Sequence, residues 1–401
     1  MRLYRNLVLA SIKALEKIFI ENQLADRVVQ TALRSNKKWG SKDRRFIAKT
    51  VYDMVRWYRL YYEIYGQKPL NHADWWGLLG VMWYCQGEEL PDWEEWENLD
   101  QKQVLERFEA QQEIRKVKAS IPDWLDELGD EELGKQWEDC LAASNKQAAL
   151  VIRTNTLKTK IDQLQRALDQ QNIATTRLAL SQGLVIRERK KITASRNYQK
   201  GDFEVQDASS QQVAPYLDVE AGMTVVDACA GAGGKSLHLA ALMKNRGQIT
   251  SLDIEAHKLE QLRKRAKRAN ASIIKTQVIQ NINTIKGLYN SADRLLLDVP
   301  CSGLGTLRRS PHIKWRLKPS FLDEIRATQQ HILQNYTPIC KVGGQLVYAT
   351  CSILPSENRL QVDTFLNSEK GQDYRLLKDK AILPQDEGFD GFYMALLERI
   401  G

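Results

Sequence analysis

Paired cysteines, long apolar runs and metal-ligand spacings are all absent from this sequence of 401 residues. Its six cysteines are scattered, no two form a C-x-x-C pair, and none stands at zinc-ligand spacing from a histidine. This pattern argues against a disulfide framework and against a metal cofactor, and free thiols indicate a reducing compartment, which we expect to be the cytoplasm. No apolar run approaches the about 18 residues that span a bilayer, so we expect no membrane partner.

The composition is that of a folded protein with more than one domain. Hydrophobic residues make up 43% of the chain, which excludes a disordered protein, and 401 residues predict two or three domains. The net charge of +8 favours a polyanionic partner, although many enzymes are mildly basic.

Hydrophobic periodicity divides the chain into three parts. Residues 1–120 have apolar residues at helical spacing and little glycine or proline, which predicts an all-α domain. Residues 121–201 follow a β-α-β-β order, which indicates a small α+β module. Residues 202–401 alternate apolar strands with helices, the pattern of a doubly wound, Rossmann-like parallel sheet.

A basic cluster with two aromatic neighbours lies in the first part. It is either an RNA contact, because cations hold phosphates and aromatic rings stack on bases, or a solvated loop and helix start. The sequence leaves both readings open for Arg34, Lys37, Lys38, Lys42, Arg44 and Arg45, with Trp39 and Phe46.

A glycine-rich turn joins the strand at Thr224 to a helix. Such a turn lets a ligand approach bare backbone amides at a helix N-terminus. A second strand ends about 20 residues later in Asp253, which is placed to accept hydrogen bonds from ribose hydroxyls. These features predict a cofactor that carries a nucleoside. The turn consists of Cys229, Ala230, Gly231, Ala232, Gly233, Gly234 and Lys235.

Two other nucleotide sites fit this turn less well. A P-loop requires glycine at position 229, where Cys229 stands, although Gly234-Lys235-Ser236 matches the end of that motif. A dehydrogenase turn is G-x-G-x-x-G, whereas this one reads G-x-G-G. Both alternatives are therefore disfavoured.

Two thiols follow the ends of separate predicted strands. Asp298 and Cys301 come after one strand, and Cys351 comes after another. Strand ends of a doubly wound sheet face the ligand crevice, so these side chains are predicted to lie beside the cofactor. A thiolate that adds to carbon 6 of cytosine makes carbon 5 able to attack an electrophilic methyl group. The chemistry alone does not decide which thiol attacks.

Charged groups near the thiols have further predicted roles. A free thiol has a pKa of about 8.5, so we expect positive charge from Lys235, Arg308, Arg309 or Lys314 to lower it. Asp298 could hold the ring N3 and the exocyclic amine. Basic residues at 258–268 and 308–318 are predicted to hold RNA phosphates, or to be solvated helix surface.

Five segments together resemble the motifs of the Sun-type RNA cytosine-5 methyltransferases, and of their small-subunit ribosomal RNA methyltransferase B group in particular. They are FEVQDASSQQVA at 203–214, CAGAGGK at 229–235, DVPCSGLGTLRRSPHIKW at 298–315, YATCSILPSEN at 348–358 and EGFDGFYMALLER at 387–399. The N-terminal part resembles, less clearly, that group's antitermination-factor-like RNA-binding domain.

The resemblance implies S-adenosylmethionine as cofactor and RNA as partner, with ribosomal RNA favoured over transfer RNA. It implies Cys351 as the nucleophile and Cys301 as the thiol that assists product release. Cys301 remains the rival nucleophile, because DNA cytosine methyltransferases attack with the corresponding thiol. It further implies that residues 229–235 and Asp253 bind the cofactor, with Asp298 at the strand end.

Two departures from the family pattern stand out. Gly231-Ala232 replaces Ala-Pro, and Gln280-Asn281-Ile282-Asn283 replaces a Gly-Asp pair near the adenine. Asn281, Asn283 or a backbone group is expected to substitute for the missing acid. A non-catalytic RNA-binding assembly factor that kept a cofactor pocket is the alternative, and two thiols argue against it.

Overall fold

A computed structural model describes residues 3–179, 182–188 and 191–401. Its contacts divide the chain into two units. One contains the chain up to Asn145 together with Arg309–Leu317, and the other contains Lys146–Arg308 and Lys318–Gly401. The short segment Arg309–Leu317 therefore packs with the N-terminal helices, although Cys301 lies only eight residues before it.

The first unit is helical, as its apolar periodicity predicts. Its central helix α4 is apolar on all sides and buries Trp75 and Trp83. Helix α3 ends at Gly66, whose φ of 107° suits a residue without a side chain. The helices are α1 (Arg5–Phe19), α2 (Ala25–Ser35), α3 (Ser41–Tyr65), α4 (His72–Cys85), α5 (Gln101–Gln111), α6 (Arg115–Lys118), α7 (Asp123–Leu133), α8 (Gln136–Ser144) and α15 (Ile313–Arg316).

Helix α3 is kinked at Trp57, whose φ of −113° and ψ of 23° are not helical. A kink frees backbone carbonyls that must find other donors. The segment Arg309–Leu317 supplies two such donors. Trp315 Nε1 donates to the Val55 carbonyl at 2.6 Å, and Lys314 Nζ donates to the Arg56 carbonyl at 2.8 Å.

The second unit contains a small antiparallel sheet in the order β2-β3-β1-β4. Its apolar face packs against the amphipathic helix α9 through Ile152, Leu164, Leu184 and Phe203. This confirms the predicted α+β module, and its boundaries at residues 120 and 201 remain predictions. The elements are β1 (Leu150–Thr154), α9 (Ile161–Asp169), β2 (Thr175–Arg177), β3 (Gly183–Ile186), α10 (Arg196–Lys200) and β4 (Phe203–Val205).

The same unit contains a seven-stranded sheet in the order β10-β11-β9-β8-β5-β6-β7. The five neighbouring strands β9, β8, β5, β6 and β7 are parallel. Strand β11 pairs antiparallel with β9, and β10 pairs antiparallel with β11. The predicted doubly wound class is therefore confirmed. The strands are β5 (Thr224–Asp227), β6 (Gln248–Asp253), β7 (Ile274–Val278), β8 (Ala292–Asp298), β9 (Cys340–Thr350), β10 (Tyr374–Ile382) and β11 (Phe392–Arg399).

Helices cover the large sheet and bury two apolar clusters against it. The chain runs outward from β5 to β7 and then returns to the other side of β5 as β8. Such a reversal opens a crevice at the carboxyl ends of the two central strands. The helices are α11 (Ala208–Tyr216), α12 (Gly234–Leu242), α13 (Ala256–Ala269), α14 (Ile282–Lys286), α16 (Pro319–Tyr336), α17 (Arg359–Leu366) and α18 (Pro384–Glu387).

Candidate active site

The glycine-rich turn lies between β5 and α12 and is open on its outer side. Gly231 and Gly233 have φ values of 53° and 84°, which favour glycine. A Cβ at Gly233 would lie 1.9 Å from Leu262 Cδ1, so this glycine permits the turn to pack on α13. A Cβ at Gly231 or Gly234 would meet no atom within 4 Å. The turn thus presents bare backbone to an open space, as a nucleoside cofactor requires.

Asp253 lies at the end of β6, next to this turn. Its Oδ2 accepts a hydrogen bond from Gly231 N and its Oδ1 accepts one from Glu255 N, both at 2.8 Å. Each oxygen keeps a lone pair, so the carboxylate can still accept ribose hydroxyls. Ile254, which sequence reasoning missed, is 70% exposed beside it. In the sequence, Ile254 could have been noticed only as an apolar residue that directly follows Asp253, the acid at the end of the strand.

Lys235 and Asp298 form an ion pair at the mouth of the crevice. Lys235 Nζ lies 2.6 Å from Asp298 Oδ2 and 4.9 Å from the centre of the Phe392 ring. Asp298 ends β8, and Lys235 stands in the first turn of α12. The pair fixes the carboxylate at the strand end, where sequence reasoning placed it.

The sulfur atoms of Cys301 and Cys351 lie 3.0 Å apart. Cys351 N also donates to Cys301 Sγ at 3.3 Å. Their loops follow the adjacent parallel strands β8 and β9, which pair in register from Leu297 with Tyr348 to Asp298 with Ala349. Both residues are half-buried. The structure therefore brings together the two thiols that the sequence placed after separate strands.

The charges near the thiols differ from the prediction. The hydrogen bond with Cys351, then burial, then the nearby negative charges of Cys351 and Glu357 raise the pKa of the Cys301 thiol. Burial likewise raises the pKa of Cys229. The expectation that positive charge lowers the thiol pKa is wrong for Cys301, because its titratable neighbours are acidic groups.

Lys314 was a candidate for lowering the thiol pKa and for holding an RNA phosphate, and its burial contradicts the phosphate contact. Its side chain is 1% exposed inside the helical unit. Besides the Arg56 carbonyl, its Nζ lies 3.4 Å from Asn145 Oδ1. Arg308 is also buried, and Asp390 and Asp207 act on its guanidinium. Arg309, Arg316 and Lys318 are exposed.

The basic helix α13 is partly structural. Arg265 and Arg268 both pair with the buried carboxylate of Glu204, at 2.9 and 2.5 Å. Arg265 NH1 also donates to the Ala232 carbonyl at 2.6 Å, so this residue supports the glycine-rich turn. Sequence reasoning missed that role, because nothing local to α13 identifies Glu204 as its partner.

Asn281, the proposed substitute for the family's acid, caps helix α14. Its Oδ1 accepts a hydrogen bond from Asn283 N at 2.9 Å, and the residue is exposed. Its amide nitrogen has no protein partner among the described residues. Within the same residues, no group of three or more acidic, histidine or cysteine side chains is arranged to hold a metal ion. None of their helices is both long and apolar enough to cross a bilayer.

A groove between α1 and α2 is lined by Trp39 of the predicted N-terminal basic cluster, but by none of the basic residues of that cluster. Cations from both helices line this groove instead. Lys13, Lys17 and Arg27 are its basic residues, and no acidic side chain lines it. The groove has the charge of a phosphate-binding surface.

Comparisons with known proteins agree with this geometry. Residues 214–398 match the family model described as 16S rRNA methyltransferase RsmB/F, and residues 121–193 match the RsmF/B-like ferredoxin-like domain. The chain is 36% identical over 300 residues to the probable ribosomal RNA small subunit methyltransferase B of Synechocystis, covering 70% of this chain and 67% of that protein. It is 32% identical over 317 residues to the corresponding Pasteurella multocida protein, covering 74% and 70%.

Solved structures have the same fold. The crystal structure of PH0851 superposes with a TM-score of 0.82 at 25% identity, over 100% of both chains. NSun6 from Pyrococcus horikoshii with SFG gives a TM-score of 0.64 at 18% identity, over 70% of this chain and 98% of that one. At that identity the second likeness concerns the fold alone.

Proposed function

This chain belongs to the ribosomal RNA small subunit methyltransferase B family, and we propose that it transfers a methyl group from S-adenosylmethionine to carbon 5 of a cytosine in ribosomal RNA. The observation that carries this proposal is the 3.0 Å separation of the Cys301 and Cys351 sulfurs at the carboxyl edge of the sheet. A methyltransferase that acts on an oxygen or an amine needs neither thiol.

The cofactor supplies an electrophilic methyl group on a sulfonium. The backbone of Cys229–Lys235 would hold it, because the outer side of the turn is open. Asp253 would accept the ribose hydroxyls. Ile254 would pack on the adenine ring, and the free amide nitrogen of Asn281 would donate to an adenine nitrogen.

Cys351 is the proposed nucleophile. Its thiolate forms a bond to cytosine C6, and the displaced ring electrons make C5 nucleophilic. C5 then bonds to the methyl carbon as the bond between that carbon and the sulfonium sulfur breaks. A base removes the C5 proton, and the S–C6 bond breaks to release the product and the Cys351 thiolate. Asp298, held by Lys235, would accept from the exocyclic amine and balance charge at N3. Cys301 would assist release as a neutral thiol, because acidic neighbours disfavour its charged form.

RNA is the proposed partner, since the relatives are named for ribosomal RNA. The target cytosine must leave its stack before a thiol reaches C6. The basic groove of the helical unit would hold RNA phosphates. Transfer RNA is an alternative substrate, and bisulfite sequencing of cellular RNA with and without the gene separates the two. The described cysteines are all free thiols, which supports the predicted cytoplasmic location.

Single cysteine variants test the mechanism. We expect Cys351→Ala to lose methyl transfer from labelled S-adenosylmethionine to ribosomal RNA by at least about 10³-fold, as when a covalent nucleophile is removed. We expect Cys301→Ala to accumulate a covalent protein–RNA adduct. Cys85→Ala, in the helical unit, is the control and should methylate normally.

The outcomes separate the candidate functions. Full activity of Cys351→Ala rejects Cys351 as the covalent nucleophile. If Cys351→Ala accumulates the adduct and Cys301→Ala does not, Cys301 is the nucleophile and Cys351 assists release. Calorimetry that detects no S-adenosylmethionine binding to the wild-type protein would favour the non-catalytic assembly factor.

A further inference from the structure

One buried carboxylate joins the two thiol loops. Glu357 follows Cys351 by six residues, in a short turn before α17, and its side chain is 0% exposed. Its Oε1 accepts hydrogen bonds at 2.5 Å from the hydroxyls of both Ser302 and Ser352. These serines directly follow Cys301 and Cys351, so the same oxygen is bonded to the residue after each thiol.

The second carboxylate oxygen completes the connection. Glu357 Oε2 accepts from Ser302 N at 2.8 Å and from Gln329 Nε2 at 3.1 Å. The same Gln329 amide donates to the carbonyl of Pro300 at 3.0 Å, which is the residue before Cys301. The Cys301 loop is therefore held on both sides of its thiol by groups that meet at Glu357.

No lysine, arginine or histidine in the described ranges forms an ion pair with Glu357. Four donated hydrogen bonds stabilise its buried charge instead, and such a network is strong only when complete. Because no cation neutralises Glu357, its negative charge also disfavours ionisation of the neighbouring Cys301 thiol. The titratable groups near Cys301 are Cys351, Glu357 and Tyr348, whose hydroxyl donates to the Glu357 carbonyl at 2.7 Å.

We propose that Glu357 is a positioning residue that acts through Ser302 and Ser352 to hold the two sulfurs at one fixed separation. This inference rests on the proposed function, which requires both thiols to reach one cytosine. Besides Glu357, the Ser302 and Ser352 hydroxyls contact each other at 3.2 Å, and each accepts a backbone N–H of its own loop, from Leu304 and Leu354. Without the carboxylate the two serine side chains lose the acceptor that they share, and the loops keep the backbone hydrogen bond from Gly305 N to the Cys351 carbonyl at 2.9 Å.

The test replaces the carboxylate with an amide of the same shape. In Glu357→Gln, one oxygen remains for the hydroxyls, but an NH₂ group faces the Ser302 N–H and the Gln329 amide. We expect kcat for RNA methylation to fall about 100-fold with an unchanged KM, because a 1 Å misplacement of reacting groups has effects of this size. Glu398→Gln, on strand β11, is the matched control.

Alkylation of the thiols provides a readout without RNA. Iodoacetamide labelling of Cys301, followed by mass spectrometry across pH, gives the midpoint of its ionisation. We expect this midpoint to fall in Glu357→Gln, because a nearby negative charge is gone, and to stay in place in Ser302→Ala, which keeps that charge. Ser302→Ala should lower kcat about fivefold, as expected when the hydrogen bond from this hydroxyl to Glu357 is lost.

An unshifted Cys301 midpoint in a folded Glu357→Gln protein, or kcat within twofold of wild type, overturns the proposal. Should Glu357→Gln not fold, Ser302→Ala and Ser352→Ala decide through kcat alone, and wild-type kcat in both rejects it. If the wild-type protein does not methylate cytosine, the proposed function fails, while the alkylation midpoints still show whether Glu357 lies against the thiol.

Discussion

Residues 298–308 and 309–317 are one continuous segment of the sequence, yet they belong to different units of the molecule. The first half carries Asp298 and Cys301 at the edge of the large sheet. The second half buries Lys314 among the N-terminal helices. Lys314 shows that a basic residue close in sequence to the Cys301 motif need not carry its charge in the candidate site. Changes in the first half should affect chemistry, and changes in the second half should affect stability.

The largest expected effect is in the first half. We expect Asp298→Asn to lower kcat for methylation by about 10²- to 10³-fold, because a preorganised charge near the reacting ring is lost. Thermal unfolding should change little, since Asp298 is only partly buried. Asp293→Asn, at the opposite end of β8, is the matched control. A large loss of stability in Asp298→Asn would contradict the expectation that Asp298 acts mainly in the chemistry.

The next effect is in the second half. We expect Lys314→Met to lower the free energy of unfolding by about 1–3 kcal/mol, because the Arg56 carbonyl is left buried without its donor. Denaturant titration measures this loss. The cofactor affinity of the folded variant should equal that of wild type. Impaired cofactor binding would place Lys314 in the chemistry after all.

The same substitution has a pH dependence with a definite sign. Burial, aided by the Arg56 guanidinium, holds the pKa of Lys314 well below its usual range. Between the folded-state pKa and the unfolded-state pKa of about 10.4, the unfolded chain binds the proton more readily. Wild-type stability relative to Lys314→Met should therefore rise with pH, by at most about 1.4 kcal/mol per unit. If the difference in unfolding free energy between wild type and Lys314→Met decreases from pH 7 to pH 9, burial does not lower the pKa of Lys314.

The smallest expected effect is at the neighbouring residue, Trp315. Trp315→Phe removes the Nε1 donor to the Val55 carbonyl but keeps an aromatic ring near Tyr58. We expect a loss of about 1 kcal/mol in unfolding free energy, as for one neutral hydrogen bond. Methylation by the folded fraction should be unchanged. A loss as large as that of Lys314→Met would mean that packing, rather than the donated hydrogen bond, dominates.

The sheet and the meeting of the thiols could be predicted from sequence, because local rules determine both. Apolar runs bounded by turns predict parallel strands, and strand ends share one edge, which places Cys301 and Cys351 together. Membership of the methyltransferase B family is likewise confirmed by the comparisons. The roles of the site residues remain predictions.

The errors and omissions concern partners that are distant in sequence. Periodicity shows which face of a helix is buried, but it does not identify what covers that face. Lys314 is bonded to a carbonyl 258 positions away, and Arg265 is paired with Glu204, 61 positions away. Glu357 lies within a recognised motif, yet only coordinates show that its carboxylate joins both thiol loops.

The kink in α3 has a consequence for how the protein is made. Translation completes α3 long before it reaches residue 309, so a nascent chain at that stage lacks the Lys314 and Trp315 side chains that donate to the Arg56 and Val55 carbonyls. Those donors are synthesised only after the Cys301 loop. We therefore expect the N-terminal helices to reach their final stability only after the Cys301 loop has been synthesised.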